Sequence, residues 1–140
     1  MNKQYQVPEF TYEGSEQRTE GGIKIIQVWG KIDGKPYSPI GTSFLDAVCN
    51  GIDEHYGFNT ENHSRKFAIS PPHNEGEPKS LTAIVEHDRE EHMEVLRTTK
   101  NSIRGCVEAY SILVQRIMGY IENQRMFEEK GALETNSFLG

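Results

Sequence analysis

The 140 residues are 35% hydrophobic and carry a formal net charge of −6, from 21 acidic against 15 basic side chains. A chain of this length buries a single core, which argues against two independent domains, and an acidic surface without a basic patch argues against a nucleic-acid partner. No apolar run approaches the ~20 residues of a membrane helix, and no stretch of signal-peptide character follows MNKQYQVPEF, so a cytoplasmic protein without a membrane partner is expected.

Residues 1–9 are polar and read as a flexible leader. A short strand is expected over Phe10–Glu13, then a polar, glycine-bounded loop from Gly14 to Gly22. IKIIQVWGKI, Ile23 to Ile32, is rich in β-branched and aromatic residues and predicts a strand buried on much of both faces. Asp33-Gly34 supplies the positive φ angles of a tight hairpin turn. The return strand, Lys35 to Gly41, carries Pro36 and Pro39, which cannot donate to a ladder, so it belongs at an edge or is interrupted. Thr42 or Ser43 then caps a helix on which Leu45, Val48, Cys49, Ile52 and Tyr56 form one apolar stripe, and Gly57 stops it.

A second run of elements follows in the same order. Strand-like residues span Ser64 to Ser70, a Pro/Gly-rich loop spans Pro71 to Lys79, and Leu81 to Glu86 alternates as a strand. Asp88 to Glu91 reverses the chain into Met93–Arg97, and Asn101 or Ser102 caps a closing helix. Its seam of Ile103, Val107, Tyr110, Val114, Ile117 and Ile121 lasts to about Asn123. Gly105 and Gly119 inside it imply close approach of another backbone, and residues 125–140 read as a partly disordered tail. Cys49 and Cys106 are too few for a disulfide framework and fit reduced thiols on helix faces.

The two runs repeat at an offset of about 55 to 58 residues, with Asp33 answering Asp88 and Leu45 answering Ile103. Three strands and one helix leave an apolar sheet face that needs a second unit to cover it. The expected fold is therefore α+β: two pseudo-twofold-related βββα units, about 10–57 and 62–124, forming one domain over 10–124.

Two stretches carry a resemblance. GKIDGKPYSPIGTSFLDAVCNGID and KNSIRGCVEAYSILVQRI are similar, in order and spacing, to the two helix-start motifs of the C-terminal regulatory domain of the 2-isopropylmalate synthase and citramalate synthase family. Asp46-Ala47 matches the Asp-Ala of the first motif, and Ile103, Ala109 and Tyr110 match the second, while Ser43-Phe44 stands where Gly-Pro is usual. The family's acetyl transfer to a 2-oxo acid is performed by a metal-dependent barrel of roughly 250 residues, which this sequence does not contain. The resemblance therefore implies the sensor half alone: no catalytic residues, no metal, no cofactor. It also implies a homodimer, a branched-chain amino acid effector such as leucine or a related small metabolite, and a separate catalytic synthase subunit as partner.

An amino acid effector presents a carboxylate, an ammonium and an apolar side chain. The free N–H groups around Ser43 to Leu45, at the positive end of a helix dipole, suit the carboxylate. Asp46 suits the ammonium, and Leu45, Val48, Cys49 and Ile52 would form an apolar wall that Phe58 closes. The competing reading is a structural dimerisation module with no small-molecule ligand. A small enzyme using Asp46 and His55 as an acid/base pair has only unspecific residues in its favour, and His87 to His92 reads as a solvated turn rather than a metal site.

Overall fold

A computed structural model describes residues 5–58, 63–72, 74–99 and 101–139 of the chain. β1 (Phe10–Glu20) and β2 (Ile23–Ile32) are joined by Gly21-Gly22, both at positive φ (57° and 79°). A two-residue hairpin needs such a left-handed pair to match the twist of its strands. Asp33 (52°) and Gly34 (79°) do the same at the next corner and return the chain into β3 (Lys35–Tyr37). Regular pairing with β2 lapses at Ser38-Pro39, although the Val28 amide still donates to the Pro39 carbonyl at 3.0 Å, and resumes in β4 (Ile40–Gly41); Pro39 sits at this interruption, while Pro36 is paired within β3. β1 is longer than its sequence suggested. Its polar half pairs with β2 to the end, past a bulge between Tyr12 and Gly14, because the ladder needs only backbone groups and most of its side chains face water.

α1 (Phe44–Tyr56) starts where Ser43 Oγ accepts the Asp46 amide at 3.1 Å. It ends at Gly57, whose left-handed φ of 68° lets the Phe58 amide reach back to the Asp53 carbonyl at 2.8 Å. The second sheet is β5 (His63–Ser70), β6 (Lys79–His87) and β7 (Glu90–Thr98), all antiparallel. Its tight turn, Asp88-Arg89, again places both residues at positive φ (49° and 69°), here without a glycine. α2 (Ser102–Leu139) closes the chain, its first turn capped by the Asn101 side chain on the Arg104 amide at 2.9 Å.

The fold is therefore α+β, with two antiparallel sheets and two helices among the described residues. α1 packs on β2 and β4, α2 packs on β6 and β7, and the helices pack on each other. The core lies where these layers meet: Val28 from β2, Val48 and Ile52 from α1, Val85 from β6, Leu113 and Ile117 from α2, all fully buried. β2 is buried on one face only, since Val28 and Ile32 point inward while Ile25 and Trp29 are half-buried and Ile23 is exposed. The expectation of burial on both faces arose because an apolar outer face is indistinguishable from a covered one in sequence.

α2 continues past Asn123 to Leu139, through a stretch rich in helix-forming Glu, Gln, Arg and Met with no proline. Its two early glycines differ. A Cβ on Gly105 would lie 1.9 Å from Leu81 Cδ1, so the close neighbour is a buried side chain rather than a backbone; a Cβ on Gly119 would meet nothing within 4 Å. Opposite outcomes are expected: Gly105→Ala destabilises by about 1–3 kcal/mol through overpacking, whereas Gly119→Ala stabilises by up to about 1 kcal/mol through helix propensity. Urea denaturation of the two variants measures both signs. In the same assay Arg89→Gly relieves a left-handed non-glycine residue and should stabilise by up to about 1 kcal/mol.

Candidate functional site

Two sites draw polar chemistry together. The first is partly buried, with Asp53 and Tyr110 in the interior and Arg65, Asp46 and Asn50 nearer the surface. α1 places Asp46, Asn50 and Asp53 along one stripe, and β5 points Arg65 at it. Nη2 donates to Asp46 Oδ1 at 3.1 Å and to the Asn50 side-chain oxygen, and Nη1 donates to Asp53 Oδ2 at 3.1 Å. The Tyr110 hydroxyl, from α2, accepts from Arg65 Nη1 at 3.2 Å and donates to Asp53 Oδ1. The guanidinium carbon lies 5.5 Å from the Tyr110 ring centroid. Asp53 is only 2% exposed, and Arg65 and Tyr110 face its charge and help to compensate its burial.

The electrostatics follow from burial. Desolvation, reinforced by the Asp53 carboxylate, pushes the Tyr110 phenol far above its ordinary range, so it remains a hydrogen-bond donor. Burial likewise raises both thiols, Cys49 and Cys106, which leaves neither as a thiolate nucleophile near neutral pH. Asp46 is also bound by the Thr42 amide at 2.9 Å, and His55 sits 3.5 Å from Asp33. The two residues of the acid/base pair thus serve different partners. Among the described residues, no group of three or more His, Cys, Asp or Glu side chains gathers to hold a metal ion.

The second site is open. A groove of about 570 Å³ lies between the start of β1, the first residue of α1 and the first two turns of α2. Phe10, Tyr12, Phe44, Ile103 and Val107 give it apolar walls, and Arg104, Glu108, Glu9 and Asn101 bring polar groups to it. Tyr12 and Phe44 meet edge to face, 5.6 Å between centroids. Its remaining wall is Val7 to Glu9, part of the segment read as a flexible leader. Residues 6–9 are tied down by three hydrogen bonds: Glu9 N donates to Asp33 Oδ1 (2.8 Å), Asp33 N donates to the Glu9 carbonyl (2.9 Å), and Gln115 Nε2 donates to the Gln6 carbonyl (2.8 Å).

The site residues expected from sequence are not in the lining of this groove. Ser43 is the α1 cap, Asp46 belongs to the arginine cluster, and Leu45 is half-buried against the core. Val48, Cys49, Ile52 and Phe58 come together, as core packing. Neither Arg65 nor Arg104 is among the site residues expected from the sequence. The Asp46, Asn50, Asp53 stripe was the available signal for Arg65, since an acidic row on a helix with its other stripe in the core requires a cation to meet it.

Tyr110→Phe leaves Asp53 and Arg65 each short of one partner, and a loss of about 1–3 kcal/mol is expected at neutral pH. The pH dependence carries a sign. A phenol raised in the folded state keeps its proton while the unfolded chain releases one near its ordinary value of 10.0, so wild-type stability falls as pH rises past that value. Tyr110→Phe removes this component and flattens the fall, while Tyr37 and Tyr56, also raised by burial, still contribute theirs. Denaturation series across the alkaline range measure the difference in slope. No family model matches the chain, and no curated protein matches it.

Proposed function

We propose that the chain is an allosteric ligand-sensing and dimerisation module of the isopropylmalate synthase regulatory type, acting on a separate catalytic subunit and having no catalytic machinery of its own. In this reading its two halves are copies of one βββα unit. The matching left-handed turns at Asp33 and Asp88 support this, as do the matching side-chain caps at Ser43 and Asn101.

The effector is a branched-chain amino acid or a related small metabolite, and its place is the groove at the start of α2. The observation that carries the reading is the groove's composition: an apolar cleft, of a size usual for small-molecule sites, with an arginine at its wall. The Arg104 fork suits a carboxylate, the apolar walls suit an aliphatic chain, and Glu9 suits an ammonium. Its lining comes from both halves, β1 and α1 on one side and α2 on the other, so a ligand held there acts on how the halves pack. A module that only dimerises is favoured by a different observation, the tight packing of Val48, Cys49 and Ile52 where a pocket was expected.

Calorimetric titration with leucine, isoleucine and valine tests the proposal. A saturable heat with at least one of them is expected, weakened about tenfold or more by Arg104→Met, the scale of one lost charged hydrogen bond. A flat response to all three would remove the ligand and leave the structural module.

A further inference from the structure

The second sheet has a face that nothing in the described chain covers. α2 takes one side, where Leu81 and Val85 are 1% and 0% exposed; on the other side Met93 and Val95 of β7 are 47% and 53% exposed. The register places Ile84 beside Met93 in one row and Thr82 beside Val95 in the next. Along the same face of β7, Glu91 stands before this pair and Arg97 after it. The face is thus a short apolar band with an acidic end, Glu86 and Glu91, and a basic end, Arg97, and the exposed Lys66 on edge strand β5 adds a cation at the rim of the Ile84–Met93 row.

We propose that this face joins two copies of the chain, sheet against sheet, about a twofold axis lying between the sheets and perpendicular to their strands. This rests on the dimerising module proposed above and names its surface. That axis reverses the order of the rows, so Met93 of one copy meets Val95 of the other, and Ile84 meets Thr82. It also brings Glu91 of each copy against Arg97 of its mate, twice per dimer. The face is self-complementary in charge, the requirement of an isologous interface. An axis parallel to the strands keeps the row order and sets the two Glu86 carboxylates, which share a row with Glu91, against each other. Aligned sheets packed about 10 Å apart leave no room for that repulsion to be hydrated.

Analytical ultracentrifugation of the whole chain tests the face. The wild type should sediment as a dimer and Val95→Lys as a monomer. Glu91→Arg should weaken association about tenfold or more, since two like-charge contacts replace two attractive ones. The double variant Glu91→Arg with Arg97→Glu exchanges both signs and should restore the dimer. A dimer that survives both Val95→Lys and Glu91→Arg would overturn this face and leave the dimerising module standing. A wild-type monomer would overturn both, and a charge reversal not repaired by its counterpart would overturn the axis.

Discussion

A guanidinium withdrawn from water sets the terms for the rest of the molecule. Arg65 leaves β5 pointing inward, and a cation in that position is tolerated only where acceptors surround it. α1 provides three, Asp46, Asn50 and Asp53, at a spacing that one helix face alone can offer, and α2 provides the Tyr110 hydroxyl. The second sheet, the first helix and the second helix are therefore held at one relative position. Such a cluster adds little net stability over well-packed hydrocarbon, but losing one of the charged partners of a buried ion pair costs about 3–5 kcal/mol. Its effect is to select this packing over others that would bury the same apolar side chains.

The groove depends on that selection. Its walls come from segments far apart in sequence, Phe10 and Tyr12 from β1, Phe44 from α1, Ile103 and Arg104 from α2. They face one another because the helices are locked together a few turns farther along, at Asp53 and Tyr110. The Asp33 turn serves twice, reversing the chain in a left-handed conformation and fastening Glu9 so that Val7 and Pro8 complete the wall. A site built from both halves at a helix start is suited to reporting occupancy through their mutual packing, which is what the proposed regulatory role requires.

What the sequence made legible was local. Asp33-Gly34 announced its turn, Ser43 and Gly57 bracketed α1, and Pro36 and Pro39 marked an interrupted strand, because each acts through its own backbone within a few residues. The order of strands and helices followed from these signals. The remainder was set by partners distant in the chain. The polar half of β1 is a strand because β2 lies beside it, and Gln6 and Glu9 are held by Gln115 and Asp33. Val48, Cys49 and Ile52 form an apolar stripe, which specifies burial and not what does the burying; the stripe lies in the core. The groove escaped notice because no one segment supplies more than a few of its residues.

A double-mutant cycle between Arg65 and Asp53 measures the central claim most directly. Arg65→Met takes the cation from Asp53 and Asp53→Leu takes one carboxylate from Arg65, while the double variant removes both members of the pair. The clamp predicts that the double variant loses less stability than the two single losses added together, with a coupling of about 1.5 kcal/mol or more. Strictly additive losses would show that the two residues do not act on each other and that the helices are held together by apolar packing alone.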